Sequence, residues 1–492
     1  MTLRELLAVV PGAELHGDGS LAVGGVSHDS RRVAAGALFV AIRGLQTDGN
    51  QYVEAALRKG AVAVVSEEAP RPGFHAPWVR VKDAREALAL LSAAQLGHPS
   101  RRLTLVGVTG TNGKTTTTYL IDAILRAAGH RTGLVGTVQY RVGDRLAEAV
   151  RTTPESSDLH ELFRDMVDAG ASHAVLEVSS HSLALKRVHG CDFHVAVFTN
   201  LTRDHLDFHG DMDRYFAAKR ALFDTGLRAD GHAVVNADDD RAPELVRASR
   251  GAVLTYGIER DALCRAEDLS LSLAGARFTL RTPEGRLALE TPLLGRFNVQ
   301  NVLAACATAF ALGVPRDAVP RGVASLKGVP GRMERVAAGQ EFAVIVDYAH
   351  TDDALRNLLE TVRELRPRRV IAVFGCGGDR DRTKRPLMGA VAARLADVAV
   401  VTSDNPRSEP PEAIIEDIVR GMNGYGKAER RVVVDRREAI AKALEMASPG
   451  DAVVIAGKGH ETYQVLRERT IPFDDRQVAR DVLLRLQPKG RA

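Results

Sequence analysis

Short apolar runs alternate with amphipathic helical patterns along most of the 492-residue chain. In its central part the runs are typical of buried strands, and stretches with helical spacing of apolar residues lie between them. Parallel strands with crossover helices produce this alternation, so we predict an α/β fold with a mostly parallel, doubly wound central sheet. The central runs are Leu103–Val108, Ala174–Val178, Val195–Thr199 and Ala233–Asn236.

Similar patterns flank the central part on both sides. Residues 1–100 contain three short strand patterns and two helical ones, and His98-Pro99-Ser100 predicts a linker because a residue before proline avoids the helical region. Residues 333–492 contain five strand patterns alternating with four helical ones, which predicts a second, Rossmann-like sheet. Since the length suggests about three domains, we predict domain ranges of 1–100, 101–332 and 333–492.

One stretch of the central part departs from this alternation. Around residues 269–290, two or three runs with two-residue periodicity are separated by Gly275 and Gly285. This pattern predicts antiparallel hairpins appended to the parallel sheet, which would form part of the central domain. The next stretch, 297–311, has the apolar spacing of a strong helix.

Composition narrows the class of protein. The chain has 45% hydrophobic and 26% charged residues, as globular proteins usually do. Its net charge of +4 is spread without a basic block, so we expect no nucleic-acid partner. The four cysteines form no C-x-x-C pair, no apolar stretch approaches the ~18 residues of a membrane span, and the N-terminus lacks a signal-peptide pattern. We therefore expect a cytoplasmic protein.

The strongest functional signal is a glycine loop between a predicted strand and a predicted helix. Backbone amides of such a loop can hold nucleotide phosphates, while its lysine supplies positive charge and its threonine hydroxyl can bind Mg²⁺. Val108 stands where a strict P-loop has its first glycine, so this loop is shorter. A turn that binds nothing is the alternative, which the Lys-Thr pair directly after the loop disfavours. The predicted ATP-binding residues here are Gly110, Thr111, Asn112, Gly113, Lys114, Thr115 and Thr116.

Polar residues at other strand ends suggest a metal site beside this loop. Ligands of open α/β sheets bind beyond the carboxyl ends of the strands. Glu177 ends one central strand, and His205 follows another. Taken singly, Glu177 could be an ion-pair partner and His205 a loop histidine bonded to backbone. Together with Thr115, a carboxylate and a histidine suit an Mg²⁺ site that serves phosphates.

The strand ends of the C-terminal part carry glycines together with both kinds of charge. They are Asp347–His350, Gly375–Asp381, Asp404–Arg407 and Gly457–Glu461. Arginines can bind a carboxylate, and acidic residues can bind an amine. A ligand that carries a carboxylate and an amine is an amino acid. Any one of these loops could be an ordinary solvated turn. Combined with an ATP site, they predict ATP-driven activation of a carboxylate followed by attack of an amine.

These strings together resemble the Mur ligases, the ATP-dependent amide-forming enzymes of peptidoglycan synthesis. The resemblance covers essentially the whole chain in three-domain order. It rests above all on TGTNGKT at 109–115, EVSSH at 177–181, DYAH at 347–350, DNPR at 404–407 and GKGHE at 457–461. It implies a monomeric enzyme, using ATP and Mg²⁺, that adds the third stem-peptide residue to UDP-N-acetylmuramoyl-L-alanyl-D-glutamate, and a role in cell shape and division.

The resemblance also implies roles for single residues. The uridine nucleotide is expected at Ser30, Leu45, Gln46 and Thr47, and the muramoyl-dipeptide at Thr152, Thr153, Ser179 and Arg187. Thr115, Glu177, His205 and a carbamylated Lys219 are expected to ligate the metal, with Lys114 acting on the phosphates. Further ATP contacts are expected at Asn301, Arg332, Asp347 and His350. The amino acid is expected at Arg380, Asp404, Asn405, Pro406, Arg407, Gly457 and Glu461.

The DNPR string at 404–407 resembles the form of this motif associated with meso-diaminopimelate, so the resemblance implies that amino acid, whose second carboxylate Arg407 can pair with. L-lysine and L-ornithine are the alternatives. A ligase resembling folylpolyglutamate synthase, and a nucleotide-dependent switch or transport protein, are the other functions considered. The chain departs from the family pattern at Asp352, where proline is usual, and at Leu185, where glutamine is frequent.

Overall fold

Parallel β-sheets covered by helices form most of the structure, a computed structural model that describes residues 1–44 and 47–486. The predicted α/β class is confirmed. By their contacts the residues form two compact units. The first comprises Met1–Ala266, Leu280–Arg286 and Gln300–Val323, and the second comprises Glu267–Thr279, Leu287–Val299 and the chain from Ala324 onward. The predicted ranges of the three domains remain predictions.

The N-terminal part forms a five-stranded sheet in the order β1-β5-β4-β3-β2, parallel except for the β1–β5 pair. Because successive strand residues face opposite sides, Leu38 packs with helices α1 and α3 on one face and Phe39 packs with α2 on the other. The elements are α1 (Leu3–Leu7), β1 (Glu14–His16), β2 (Gly25–Ser27), β3 (Ala37–Val40), α2 (Val53–Arg58), β4 (Ala63–Ser66), β5 (Trp78–Arg80) and α3 (Ala84–Gln95).

The predicted break before residue 101 is present. His98 adopts a left-handed conformation with φ of 53°, and Pro99–Arg102 forms a 3₁₀ turn that leads into the central sheet. The central elements begin with β6 (Thr104–Thr109), α4 (Lys114–Ala127), β7 (Thr132–Val135), β8 (Gln139–Val142), β9 (Arg145–Glu148), α5 (Ser156–Asp168), β10 (His173–Glu177), α6 (Ser180–Ala184) and β11 (Phe193–Phe198).

The central sheet has β6, its phosphate-loop strand, between β10 and β11, with all adjacent pairs from β7 to β13 parallel. Strands β8 and β9 add an antiparallel edge that the sequence patterns had not predicted. The remaining elements of this part are α7 (Leu206–His209), α8 (Met212–Ala221), β12 (Leu227–Asn236), α9 (Ala242–Ala248) and β13 (Ala252–Gly257).

The predicted hairpin strands follow β13 and occupy the other edge of the eleven-stranded sheet. Two-residue connections join them, which is the arrangement of antiparallel hairpins. They are β14 (Cys264–Ser272), β15 (Gly275–Thr282) and β16 (Gly285–Thr291), and they are followed by α10 (Arg296–Ala311) and α11 (Ala318–Ser325). The predicted helix at 297–311 thus matches α10 almost to the residue.

The C-terminal sheet has the order β17-β18-β22-β19-β20-β21, and only the β17–β18 pair is antiparallel. Helices α12, α13 and α14 cover one face, and α15 and α16 cover the other. The elements are β17 (Glu334–Arg335), β18 (Ala343–Asp347), α12 (Asp352–Glu364), β19 (Val370–Phe374), α13 (Lys384–Leu395), β20 (Val398–Val401), α14 (Pro411–Met422), β21 (Glu429–Val432), α15 (Arg436–Glu445), β22 (Ala452–Ala456), β23 (Tyr463–Val465), β24 (Thr470–Pro472) and α16 (Asp475–Leu486).

The departure from the family pattern at Asp352 has a local explanation. Thr351 is the N-cap of α12, and its side chain accepts a hydrogen bond from Ala354 N. Asp352 is therefore the first residue of the helix, a position that suits proline and also suits an acidic side chain because of the helix dipole.

None of the helices formed by residues 1–44 and 47–486 is long and apolar enough to cross a membrane.

One fully buried ion pair holds the two helices on one face of the C-terminal sheet. Arg436 of α15 donates from Nε to Asp475 Oδ1 over 2.8 Å and from Nη2 to Oδ2 over 2.7 Å. Both side chains have 0% exposure. Nη2 also donates to the carbonyl of Ala456, at the end of β22. The pair therefore joins both helices to a strand end.

We predict that Asp475→Asn destabilises this face by about 3–5 kcal/mol, because it leaves the Arg436 guanidinium buried without its counter-charge. Hydrogen exchange of peptides from α15 and α16 in the full-length chain measures the effect. Glu438→Gln is the control, since its pair with Lys442 is about half exposed and is worth less than about 1 kcal/mol. Equal protection in the two variants would contradict the prediction.

Candidate active site

The phosphate loop lies between the end of β6 and the start of α4, and two of its glycines are required by their surroundings. Gly110 has φ of 141°, and a Cβ there would lie 1.9 Å from Thr199 Oγ1. Gly113, the N-cap residue of α4, has φ of 86°, and a Cβ there would lie 2.3 Å from Asn301 Oδ1. A glycine N-cap places no side chain over the first turn of α4, which suits anion binding by its amides.

Two lysines meet at one carbonyl oxygen of this loop. Lys114 Nζ lies 2.9 Å from Gly110 O, and Lys219 Nζ lies 2.8 Å from the same atom. Lys219 belongs to α8 and is only 1% exposed. Burial, reinforced by the charge of Lys114, holds the pKa of Lys219 well below its usual value. The loop therefore brings two lysine amines together where phosphates are expected, and the buried Lys219 amine loses its proton more readily than an exposed lysine does.

All four predicted metal ligands lie near the loop, but among the described residues only Thr115 and Glu177 are hydrogen-bonded to each other. Thr115 Oγ1 donates to Glu177 Oε2 over 3.1 Å. Among the described residues, no hydrogen bond joins His205 to either of them. His205 instead faces Asp204, with 3.4 Å between Nε2 and Oδ2. Burial, with the charges of Lys114 and Lys219, lowers the pKa of His205.

The donor set can be compared with what Mg²⁺ requires. Within residues 1–44 and 47–486, no group of three or more His, Cys, Asp or Glu side chains is arranged to hold a metal ion. A hydroxyl and a carboxylate, from Thr115 and Glu177, are the oxygen ligands that Mg²⁺ prefers. An ammonium group at Lys219 does not suit a cation, whereas a carbamate there would. The residues therefore fit Mg²⁺ if Lys219 is modified.

The residues predicted for the muramoyl-dipeptide are joined by hydrogen bonds. Thr153 Oγ1 donates to Glu177 O over 2.7 Å and accepts from Ser179 N over 3.3 Å. Arg187 Nη1 donates to Thr153 O over 3.2 Å. Thr152 lies beside them, with its hydroxyl 3.0 Å from that of Thr137. All four predicted residues are thus brought to the end of β10.

A carboxylate not singled out from the sequence organises the arginines of this region. Glu155, which directly follows Thr152-Thr153-Pro154, is buried and accepts from Arg187 Nε over 2.9 Å. It also accepts from Arg151 over 3.2 Å and from Arg85 over 3.4 Å. Glu155 is the N-cap residue of α5 but makes no side-chain cap bond. Its carboxylate instead accepts hydrogen bonds from the three guanidinium groups.

The residues predicted for the uridine nucleotide are only partly described. Ser30 lies half-buried in the turn after β2, and Thr47 is exposed. Leu45 and Gln46 lie outside the described residues. Arg85 Nη2 donates to the carbonyl of Arg43, just before this segment, over 2.9 Å. Arg85 thus bonds both to Arg43 and to Glu155.

The remaining predicted ATP contacts belong to different units. Asn301 lies in the first unit, where its Oδ1 accepts from Thr117 Oγ1 over 3.3 Å. Arg332, Asp347 and His350 lie in the second unit. There the Asp347 carboxylate accepts from Met333 N over 2.7 Å, and burial raises its pKa. Arg332 stacks on the Tyr348 ring at 5.1 Å.

The residues predicted for the amino acid meet at strand ends of the C-terminal sheet. Asn405 Nδ2 donates to Glu461 Oε2 over 2.9 Å. Lys458, which is fully buried and was not predicted, donates to both Asn405 Oδ1 and Glu461 Oε2, over 3.0 and 3.2 Å. At Gly457 a Cβ would lie 2.5 Å from Asp404 Oδ2. The missing side chain of Gly457 therefore leaves room for the Asp404 carboxylate.

The two predicted arginines lie on neighbouring loops of the same sheet. Arg407 Nη1 donates to Gly378 O over 2.8 Å, and Arg380 Nη1 donates to Asp379 O over 3.1 Å. The exposed side chain of Arg380 leaves its guanidinium open to solvent. Pro406, between Asn405 and Arg407, is buried.

Comparison with known proteins places this arrangement in a family. Three family models match the chain: Mur ligase family, catalytic domain at 22–96, Mur ligase middle domain at 108–309, and Mur ligase, glutamate ligase domain at 331–459. The chain belongs to the Mur ligase family. The resemblance inferred from the sequence motifs is thereby confirmed, and so is the prediction of an enzyme.

Individual relatives resemble this Mur ligase over nearly its whole length. UDP-N-acetylmuramoyl-L-alanyl-D-glutamate–2,6-diaminopimelate ligase of Solibacter usitatus is 54% identical over 94% of this chain and 93% of its own. The enzyme of the same name from Geobacillus thermodenitrificans is 48% identical over 98% and 99%. A solved structure of a ligase with that name is 36% identical, covers 99% of both chains and has a TM-score of 0.73.

More distant solved structures share the fold with this Mur ligase. MurF ligase from Thermotoga maritima, solved in complex with ADP, is 20% identical with a TM-score of 0.61 and covers 94% of this chain and 96% of its own. Folylpolyglutamate synthase from Mycobacterium tuberculosis, 22% identical, matches with a TM-score of 0.60 over 74% of this chain and 91% of its own.

Proposed function

We propose that this Mur ligase uses ATP to join meso-diaminopimelate to the D-glutamyl γ-carboxylate of UDP-N-acetylmuramoyl-L-alanyl-D-glutamate. The reaction proceeds through an acyl phosphate, which the amine attacks with release of phosphate. The observation that carries the proposal is the 54% identity to a ligase named for these two substrates, over nearly the full length of both chains. We place the enzyme in the cytoplasm as a monomer, acting in peptidoglycan synthesis and so in cell shape and division.

The nucleotide is held by the phosphate loop in this proposal. Amides of the first turn of α4 bind the phosphates, and Lys114 stabilises negative charge on the transferred phosphoryl group. Asn301, Arg332, Asp347 and His350 make the other ATP contacts. Thr115, Glu177, His205 and a carbamylated Lys219 would hold Mg²⁺. When bound, this ion neutralises charge on the phosphate oxygens.

The acceptor substrate is held by two sets of residues, one in the N-terminal part of the chain and one in the central part. Ser30, Leu45, Gln46 and Thr47 bind the uridine nucleotide, and Thr152, Thr153, Ser179 and Arg187 bind the muramoyl-dipeptide. The contacts of Glu155 support this assignment, because they fix the Arg187 guanidinium along one edge. A fixed guanidinium can pair bidentately with a carboxylate at little further loss of side-chain entropy.

The amino acid is held by the loops of the C-terminal sheet. Arg407 pairs with the distal carboxylate of meso-diaminopimelate, Arg380 with the other carboxylate, and Glu461 with an ammonium group. Asp404, Asn405, Pro406 and Gly457 complete this site. The bonds of Asn405 to Lys458, Glu461 and Val465 N support a role for Asn405 in holding the site together. L-lysine and L-ornithine lack the second carboxylate.

Phosphate release in the presence of ATP tests the proposed reaction. We predict that release requires both UDP-N-acetylmuramoyl-L-alanyl-D-glutamate and meso-diaminopimelate, and that Lys114→Ala abolishes it while the melting temperature stays unchanged. The lysine is the half-buried first residue of α4 and does not belong to the hydrophobic core. A nucleotide-dependent switch would instead hydrolyse ATP without both substrates, and a folate ligase would require a folate. Near-normal turnover by Lys114→Ala would contradict the role of the loop.

We predict that Lys219 carries a carbamate, formed when its neutral amine adds CO₂ and loses a proton. The amine is buried beside Lys114, where a second cation would repel Mg²⁺. Enzyme exchanged with ¹³C-bicarbonate should show a carbamate resonance that Lys219→Ala lacks. The variant should lose activity by at least about 100-fold, and formate or acetate should restore part of it.

The exposed helix lysine Lys442 is the control, since Lys442→Ala should leave both the resonance and the activity unchanged. Fully active enzyme without the carbamate resonance would show that Lys219 acts as a free amine.

We predict that Arg407 selects meso-diaminopimelate. L-lysine would leave its guanidinium unpaired, a loss of about 2–5 kcal/mol, or about 30-fold to several thousand-fold. Specificity constants for the three amino acids measure this preference, and Arg407→Ala should remove most of it by lowering kcat/KM for meso-diaminopimelate alone. Arg420→Ala, which changes a surface arginine, should retain it. Equal or better use of lysine or ornithine by the unmodified enzyme would contradict the role of Arg407.

A further inference from the structure

The two arginine-bearing loops of the C-terminal sheet are bonded to each other by a side chain that has no assigned role. The carboxylate of Asp379 accepts from Ser408 Oγ over 2.6 Å and from Ser408 N over 3.2 Å. Asp379 directly precedes Arg380, and Ser408 directly follows Arg407. The bond therefore connects the immediate neighbours of the two arginines, and we call it the Asp379–Ser408 clasp.

Backbone contacts bring the two loops close enough for the clasp to form. Gly378 N donates to Asn405 O over 3.0 Å, and Arg407 Nη1 donates back to Gly378 O over 2.8 Å. At Gly378 an added Cβ would lie 1.9 Å from the carbonyl oxygen of Pro406. Only glycine permits this approach, so the loops are packed backbone against backbone.

Both loops carry backbone strain at the clasp, in Asp379 itself and in Arg407, the residue before Ser408. Asp379 has φ of 52° and Arg407 has φ of 53°, the left-handed region that residues other than glycine seldom adopt. Such strain persists only where surrounding contacts impose it, and it concentrates at functional sites. Here the clasp and its neighbouring backbone bonds supply the contacts.

The clasp is in turn anchored to a buried arginine. Glu409, next to Ser408, accepts from Asp379 N over 2.7 Å and from Arg385 Nη2 over 2.8 Å. The Arg385 side chain is 1% exposed and also donates to Asp417 of α14 over 3.0 Å. Because Arg385 belongs to α13, both loops are fixed to two helices of the C-terminal domain and not only to each other.

From these contacts we infer that Asp379 is a positioning residue that fixes the separation of the Arg380 and Arg407 guanidinium groups and thereby selects an amino acid with a carboxylate at each end. The inference rests on the proposed function. Two cations at a fixed separation match two carboxylates at a fixed separation. If the clasp is broken, each arginine can still attract a carboxylate, but the pair no longer discriminates against an amino acid that has only one.

Steady-state kinetics of Asp379→Asn and Ser408→Ala test this inference. Asparagine tolerates the left-handed backbone while removing the charge, and alanine removes only the hydroxyl donor. We expect KM for meso-diaminopimelate to rise about 10-fold or more, as for a lost hydrogen bond to a charged group. KM for ATP and for the UDP-linked substrate should stay unchanged, and the ratio of kcat/KM for meso-diaminopimelate over L-lysine should fall by a similar factor.

Asp18→Asn is the matched control. Asp18 makes the same kind of contact, accepting from Ser20 Oγ over 2.7 Å and from Ser20 N over 2.8 Å, but within a single turn of the N-terminal part. It should leave KM and the specificity ratio unchanged. A thermal midpoint measured for each variant shows whether any effect is merely loss of fold.

The outcomes separate this inference from the proposed function. Unmodified enzyme that does not use meso-diaminopimelate would overturn the proposed function, and the clasp with it. If the unmodified enzyme uses it but Asp379→Asn and Ser408→Ala behave like Asp18→Asn, the positioning role alone is overturned. A rise of all three KM values with a lower thermal midpoint would likewise overturn it, because that is the signature of a purely structural residue.

Discussion

Glu177 is buried, with 1% exposure, so its carboxylate oxygens must accept hydrogen bonds from the protein. The segments that surround the site are held in place by supplying those donors. The Glu177 oxygens accept from Thr115 Oγ1, Thr137 N and Thr137 Oγ1, over 3.1, 2.8 and 3.0 Å. An unsatisfied buried carboxylate would cost several kcal/mol. The start of α4 and the segment after β7 are therefore held to the end of β10. At Gly136 a Cβ would lie 2.4 Å from Glu177 Oε1, so even the adjoining chain is shaped by this carboxylate.

Around that carboxylate, several basic side chains share a small number of acceptors. Glu155 is shared by three guanidinium groups, of which those of Arg85 and Arg187 are 15% and 11% exposed. Nearby, Lys114 and Lys219 share a single carbonyl. Guanidinium and amine groups that share one acceptor can also pair with a bound anion. A phosphorylated, carboxylate-bearing substrate supplies such anions, so this arrangement supports the ligands proposed for the site.

Much of the fold was predictable because its strands are buried on both faces. The five consecutive apolar residues of β19, Val370–Phe374, are typical of a strand covered by helices on each side. Strand β9, Arg145–Glu148, was missed because all four of its residues are exposed and carry no apolar alternation. Edge strands of this kind are specified by their neighbours in the sheet and not by their own sequence.

The residues of the candidate site likewise divide into those that the sequence could predict and those that it could not. The glycine loop and Glu177 could be predicted because strand ends and loop spacing are local properties of the sequence. Glu155, Thr137 and Lys458 could not, since each bonds to residues between 40 and 70 positions away along the chain, which come together only on folding. The one available signal was their adjacency to motifs: Glu155 follows the TTP string, and Lys458 lies within GKGHE.

The close approach of Gly378 to Pro406 bears on how this specificity could change in evolution or by design. With 1.9 Å between an added Cβ and the opposing carbonyl oxygen, neither loop can be altered in conformation without the other. Transplanting the DNPR string alone into a relative would place it against an unmatched partner loop. A change of amino-acid specificity therefore requires changes in both loops, 375–381 and 404–409. We expect the two segments to vary jointly between enzymes that use different amino acids.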